Sequence, residues 1–538
     1  MSSPRPGKSG GTREDKPMLV GDIPALAAHR APDVLAVQFQ GRAWTYAQMR
    51  DKSWALGNAL LRIADKGDRI AILAENCPEY VLAYYGVPSA GMALTFLNYR
   101  LSPRELAWII GNAEPSVLIV EDKFMGAIEQ IRGQIPSVRH FVSIGQVQPG
   151  TLGFEAFLAT GEASPPPVKV GEDDLAWLLY TSGTTGLPKG AMLSHRNVVA
   201  AVMNSLVSWD KDPPDGPEPV FMLTFPMYHV AGYALLVNHV RAVPVVIMQN
   251  FDIEVFFATI ERHKVTALSL APTMIAMLLN HPARVNYDLS SLRNIGYGAS
   301  AMPAAVLLRA REIWPQVRFA TGFGMTELGG NVMVLTAEEH DRAVDEGLPT
   351  LNSVGHQMLL SRVRVVDADG NDVATGQEGE ILVKGDQVLS GYWRNPEATA
   401  KSFVDGWFHT GDVGRWNEEG YLWIVDRKKD MIVTGGENVY PREVEEVLYK
   451  HPAVLEAAVI GAEDEKWGEE VVAVISCRNG ESATPADLVM HCRDHIASYK
   501  KPRAVAFVDE LPKNASGKVL KRELREWIRD GRLVLLRP

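Results

Sequence analysis

Cysteine is nearly absent: the 538 residues contain three, Cys77, Cys477 and Cys492. Their spacing gives neither a disulfide framework nor a set of metal ligands, and it suits a chain kept in a reducing cytoplasm. A surplus of positive charge is missing too. Lys and Arg number 54 against 65 Asp and Glu, a formal net charge of -11. That argues against nucleic acid as the main partner, because phosphate backbones select basic faces. Long apolar runs are also lacking. The longest apolar region, residues 230–248, is broken by Asn238, His239, Arg241 and Pro244, so no segment is expected to span a membrane. Residues 1–17 are polar, rich in Gly, Ser and Lys/Arg, and have no apolar core. They read as a disordered tail rather than a signal peptide.

What remains is the composition of a globular protein, 46% hydrophobic and 22% charged, in a chain too long for one core. Two or more domains are expected. The stretch that organises them is Tyr180-Thr181-Ser182-Gly183-Thr184-Thr185-Gly186-Leu187-Pro188-Lys189-Gly190. It follows an apolar run from Leu175 to Leu179, which reads as a buried strand, and precedes Ser194-His195-Arg196-Asn197, which reads as a capped helix start. Hydroxyls and glycines in a tight loop offer many donors to a polyphosphate, and Lys189 adds a positive charge. It is not a Walker A loop: Leu187-Pro188 follows Gly186, and Lys189 is followed by Gly190 rather than Ser or Thr. The plainer alternative is a glycine-rich surface loop.

Ahead of this loop, elements alternate. Thr45 caps a helix that turns Met49, Leu56 and Leu60 inward, and strands read at residues 69–73, 93–97 and 116–120. A helix lies at 78–87, and Ser102-Pro103-Arg104-Glu105 is a capping box that opens another, ending near Gly111. Such βαβα units imply a parallel sheet with helices on both faces. Pro165 to Pro167 lie in a connector, and a second α/β round runs from Val220 to about Arg318. From Ser353 the pattern alternates polar with apolar, with an Asp369-Gly370 turn signal, so an antiparallel β region is expected. Past Asp426 the chain restarts as a small α+β unit, opening on an amphipathic helix at 441–448. The expected layout is a tail (1–17), a large α/β unit (18–425), a hinge (426–430) and a small α+β unit (431–538).

Polar residues also appear where a core would not want them. His229 sits inside Phe225-Pro226-Met227-Tyr228-His229-Val230-Ala231-Gly232, where a lone histidine is more often a satisfied core residue. Thr321-Gly322-Phe323-Gly324-Met325-Thr326-Glu327 is a glycine-spaced turn that ends in a carboxylate. Trp407-Phe408-His409-Thr410-Gly411-Asp412 ends an apolar segment in an acid, Asp426-Arg427-Lys428-Lys429-Asp430 alternates charge, and Pro512 to Lys518 is a basic turn. Each alone has a bland explanation: a β-turn aspartate, a solvated linker, a surface turn.

Together and in this order, these motifs closely resemble the adenylate-forming superfamily of acyl-CoA synthetases, luciferases and peptide-synthetase adenylation domains. The resemblance runs from about Pro24 to Arg525. It implies that Thr181, Ser182, Gly183, Thr184, Thr185, Gly186 and Lys189 cradle the β- and γ-phosphates of ATP. It further implies that Glu327 holds Mg2+, a hard cation that prefers carboxylate oxygen. Gly298, Ala299, Ser300 and Phe323, with Gly324, Met325 and Thr326 beside them, would form the adenine site. Asp412 would accept the ribose hydroxyls, and Arg427 would add a ribose or phosphate contact. Lys518 would neutralise charge between the attacking carboxylate and the α-phosphate. Many relatives carry tyrosine where this chain has Phe323, which keeps ring stacking and loses a hydrogen-bond donor. By the same resemblance the small domain turns about Lys429, presenting either Lys518 or the loop with Gly435, Gly436 and Glu437, which helps form a pantetheine tunnel for CoA.

The implied function is an ATP-dependent carboxylic acid–CoA ligase in two half-reactions, acyl-AMP plus pyrophosphate and then acyl-CoA plus AMP. The alternative inside the superfamily is an acyl-AMP ligase serving a carrier protein. A luciferase-like oxygenase and a catalytically silent nucleotide-binding protein are further alternatives. His229, Gly232, Gly298 and Ala299 would lie near the carboxyl end and mouth of the acyl pocket, with His229 as a gate if it does more than pack. A medium- or long-chain fatty acid is the favoured substrate, then an aryl acid. Homodimers are expected by analogy alone.

Overall fold

The strand Arg69–Leu73 shows how the sheets are laid down. Ile70 and Ile72 fall on one face and Ala71 and Leu73 on the other, and all four are fully buried. A strand apolar on both sides belongs inside a parallel sheet covered on both faces. The computed structural model describes residues 17–181, 188–209, 218–300, 302–427, 430–434, 437–464, 467–513 and 519–538. Within them the chain forms four sheets. The expected tail falls outside the described residues, apart from Pro17.

Two large sheets make the body of the protein. In the eight-stranded one, the parallel centre runs from Leu152–Gly153 through Arg69–Leu73 to β1 (Leu175–Thr181). There the direction reverses: β2 (Lys189–Ser194) pairs antiparallel with β1. The sequence reading named no strand between the phosphate loop and the capped helix start at Ser194. The helix is present, α1 (His195–Ser208), capped by Ser194 and Asn197 in a reciprocal box, but β2 intervenes. Lys-Gly-Ala-Met-Leu-Ser is a short, weakly patterned run whose strand character comes from its partners.

The nine-stranded sheet is built alike. Its parallel centre includes β3 (Asn294–Tyr297) and β4 (Arg318–Met325), and its antiparallel margin begins with β5 (Gly330–Leu335), which pairs with β4 and with the edge strand His356–Gln357. The eight-stranded sheet is completed much later in the chain by β6 (Gly391–Tyr392), antiparallel to β2. One core cluster takes Ile70 and Ile72 from the first sheet and Phe221 and Leu223 from the second. Met222, between the latter two, points into a separate cluster on the far side of its sheet.

The expected antiparallel region is a third sheet that contains β7 (Trp407–Trp416) and β8 (Leu422–Arg427). The fourth sheet holds β9 (Ile432–Thr434), β10 (Glu437–Val439) and the long hairpin of Val454–Asp464 with Gly468–Cys477. Helix α2 (Pro441–Leu448) buries Val444, Val447 and Leu448 against it, in a core cluster separate from those of the large sheets. The fold is thus a large α/β body of mainly parallel sheets with a β region and a smaller, β-rich α+β unit. Among the described residues no helix is long and apolar enough to cross a membrane.

Candidate active site

The site lies where the antiparallel margins of the two large sheets meet. Thr181, the last residue of β1, pairs with Lys189, the first of β2, so the phosphate loop is closed at its base by a strand pair. Ser182, Gly183, Thr184, Thr185 and Gly186 themselves fall outside the described residues. On the other sheet, Glu327 follows β4 on a short turn, Thr326–Leu328, and is 7% exposed. Burial of a carboxylate demands partners. Tyr392 on β6 supplies one, its hydroxyl donating to Glu327 Oε1 at 3.1 Å. The Lys189 ammonium lies over the face of the same Tyr392 ring, 5.2 Å from its centre. Burial and the Glu327 carboxylate push the Tyr392 phenol well above its ordinary pKa, so it remains a donor.

Tyr392 belongs to a strap that stitches the two sheets together. Gln387 donates to the carbonyls of Leu328 and Asn331 at 2.8 and 2.9 Å, and Leu389 N–H donates to the Glu327 carbonyl at 2.8 Å. Ser390 and Trp393 then donate to Met192 and Gly190 of β2, at 2.9 and 2.8 Å. Sequence reasoning missed Gln387 and Tyr392. The available signal was Gly391-Tyr392-Trp393 just ahead of an Asn395-Pro396 helix start, an aromatic pair held by a cap.

The segment assigned to adenine follows β3. Tyr297 bonds His340 Nε2 through its hydroxyl at 2.7 Å and so fixes the strand end. Beyond it Ala299 has φ +68°, a left-handed conformation that costs an alanine about 1 kcal/mol, and both Ala299 and Ser300 are exposed. A Cβ built on Gly298 would meet the Gly322 carbonyl at 3.3 Å and nothing else within 4 Å. Phe323, Gly324 and Met325 lie on β4, with Thr326 opening the Glu327 turn. Gly324 is obligatory: a Cβ there would overlap the Gly330 carbonyl across the β4–β5 pair.

Asp412 is 3% exposed on β7, its backbone N–H donating to Thr410 Oγ1 at 3.0 Å. Arg427 is its register partner on β8, so the two residues assigned to the ribose share one rung. His229 accepts the Ala231 N–H on Nδ1 at 3.2 Å and stacks on Phe225, capping the turn Val230–Tyr233. Gly232 packs closely: a Cβ at that position would land on the Tyr84 hydroxyl, with the Met227 carbonyl 3.3 Å away. Its small size admits the Tyr84 hydroxyl. In the small unit Glu437 is exposed and pairs with Thr434; Gly435, Gly436, Lys429 and Lys518 lie outside the described residues. Lys513 and Val519, bridged antiparallel, flank the segment that contains Lys518.

The family description "AMP-binding enzyme" matches residues 25–393, and "AMP-binding enzyme C-terminal domain" matches residues 443–518. The chain belongs to the AMP-binding enzyme family. Among similar members, a feruloyl-CoA synthase of Amycolatopsis sp is 36% identical over 509 residues, 94% of this chain and 98% of that protein. A fatty acid–[acyl-carrier-protein] ligase of Streptomyces coeruleorubidus is 34% identical over 503 residues, 93% and 94% of the two chains. Among solved members, an anthranilate CoA ligase in complex with anthranoyl-AMP superimposes with a TM-score of 0.87 at 28% identity, covering 96% of this chain and 98% of that one. No group of three or more His, Cys, Asp or Glu side chains that could hold a metal ion occurs among the described residues. A single buried carboxylate such as that of Glu327, held by Tyr392, fits Mg2+, which keeps several waters and takes oxygens from substrate phosphates.

Proposed function

We propose that this member of the AMP-binding enzyme family is an ATP-dependent carboxylic acid–CoA ligase acting on a medium- or long-chain fatty acid or an aryl acid. The observation that carries this reading is that Tyr392 touches both the phosphate-loop lysine and the proposed cation carboxylate. One neutral side chain thereby sets Lys189 and Glu327 side by side, the pairing that a nucleoside triphosphate with its cation requires.

In the first half-reaction, a substrate carboxylate oxygen attacks the α-phosphorus of ATP and pyrophosphate leaves. Thr181 and Lys189, with the loop between them, hold the departing phosphates, while Asp412 and Arg427 hold the ribose. Mg2+, when bound at Glu327, neutralises phosphate charge. Lys518 stabilises charge that builds between carboxylate and α-phosphate, an effect that is strong only in a site closed to water. In the second half-reaction the CoA thiol attacks the acyl carbon and AMP leaves. The small unit (431–538) turns on residues 426–430, with Lys429 as hinge, and brings the Gly435, Gly436 and Glu437 loop to the site. Gly298 and Ala299 border the acyl group, and His229 gates it.

A second reading is supported by the carrier-protein ligase among the relatives: acyl transfer to a carrier protein instead of CoA. Both are tested by mass spectrometry after incubating the protein with ATP, Mg2+ and a panel of carboxylic acids, with and without CoA. Acyl-CoA in the first run and bound acyl-AMP in the second are expected. Acyl-AMP in both would select the carrier protein; neither product on a broad panel would overturn the ligase reading.

A further inference from the structure

Lys189 and Glu327 carry opposite charges within reach of one ring, and each would be lost to substrate if they neutralised one another. Among the described residues Lys189 makes no ion pair; its contact is with the face of Tyr392. Glu327 meets the hydroxyl at the other end of that side chain. A phenol is suited to this because it is neutral. It anchors one carboxylate oxygen without cancelling the charge, which a lysine or arginine in its place would do.

The anchor is itself held. Tyr392 is 7% exposed, its N–H donates to Thr399 Oγ1 at 2.9 Å, and β6 is hydrogen-bonded to β2. Leu389, three residues earlier, donates to the backbone of Glu327 itself. One strap therefore fixes both the backbone and the carboxylate of Glu327 while it fixes the strand that begins at Lys189. A glutamate has three rotatable bonds, and a cation ligand that wanders among rotamers binds more weakly than one held in place.

We propose that Tyr392 is a positioning residue that orients the Glu327 carboxylate for a divalent cation, a role that rests on the reading of Glu327 given above. Its hydroxyl holds Oε1, and its ring carries the Lys189 ammonium on its face.

The test is Mn2+ binding to the full-length protein with ATP and no carboxylic acid, followed by electron paramagnetic resonance of free Mn2+. Tyr392→Phe keeps the ring and removes the hydroxyl. It is expected to weaken Mn2+ binding roughly tenfold, the worth of one hydrogen bond to a charged group. It should also raise the Mg2+ concentration for half-maximal adenylation by a similar factor, leaving kcat at saturating Mg2+ within about twofold. Thermal melting of the variant, run in parallel, shows whether it is folded. If Glu327→Gln weakens Mn2+ binding and a folded Tyr392→Phe does not, Tyr392 merely packs and the proposal falls. If neither variant changes Mn2+ binding, the reading of Glu327 falls and takes the proposal with it.

Discussion

Lys189, Tyr392 and Glu327 on one side, and Lys518 on the other, would reach the proposed chemistry by different means. The first three stand on or beside strands of two wide sheets that share one core and are tied by the strap from Gln387 to Trp393. Lys518 belongs to a unit with separate core clusters, one built around Ile432, Val459 and Val505 and another around Ile460, Val474 and Leu524. The two regions meet at Arg442, which donates to the Ile424 carbonyl at 2.7 Å through its side chain and to Asp426 at 2.9 Å through its backbone. A phosphate site made from sheet margins is preorganised, so it loses little entropy when ATP arrives. A lysine on an independently cored unit can be withdrawn without unfolding anything, and that is what a second half-reaction at the same place requires.

The largest expected effect divides the two regions. Lys518→Ala should slow acyl-AMP formation by about 10²- to 10³-fold, the usual cost of removing one charge-stabilising group. Thiolysis of supplied acyl-AMP by CoA should change by less than about fivefold, because the large body and the CoA loop are intact. Pyrophosphate release and acyl-CoA formation, measured separately, check this. Equal losses in both half-reactions would break the comparison, since Lys518 would then serve the framework rather than one step.

Two glycines of the large body sharpen it next. Gly324→Ala should destabilise the protein by about 3 kcal/mol or more, because backbone on the neighbouring strand blocks the new methyl and no rotamer relieves it. Gly298→Ala should cost under about 1 kcal/mol in stability, its nearest neighbour standing at 3.3 Å, and should act instead on the KM for acid or ATP. Denaturant unfolding paired with steady-state kinetics separates the two. If Gly298→Ala unfolds the protein as readily, that glycine is framework as well.

Much of this was legible because it is local. The caps at Thr45, Ser102 and Ser194 all form where the sequence places them, since a capping box needs four adjacent residues and no distant partner. The strands Arg69–Leu73 and Ala267–Leu270 announce themselves as apolar runs. The antiparallel margins did not. β2 is held by β1 and by β6, the latter some two hundred residues further along the chain, and nothing in Lys-Gly-Ala-Met-Leu-Ser foretells that neighbour. For the same reason the motif residues Lys189 and Glu327 were readable through resemblance, while Tyr392, which joins them, was not. The fit of Tyr84 against Gly232 was not legible either, because the two residues are far apart in the chain.

A further effect concerns acid, and it too should fall on the large body. His195, at the start of α1, accepts the Val20 N–H on Nδ1 at 3.1 Å, and His239 bonds the Tyr85 hydroxyl at 2.7 Å and the Ala36 carbonyl at 3.1 Å. Burial holds both pKa values down to about 4, against 6.5 for a free imidazole. The unfolded chain therefore takes up these protons first. Their contribution to stability is complete above pH 6.5 and is lost as pH falls from there toward 4. At pH 5 the loss should be about 2 kcal/mol for each histidine, from about 1.4 kcal/mol per pH unit over the interval crossed. In the small unit, His491 is also shifted down by burial but is only partly covered, so its share should be smaller. Unfolding free energy followed by denaturant between pH 7 and 5 should fall on this schedule. His195→Gln, which keeps an acceptor for Val20 but cannot titrate, should make the slope shallower. An unchanged slope would mean that the acid sensitivity arises elsewhere, and the small unit, unfolded on its own probe, would be the first place to measure it.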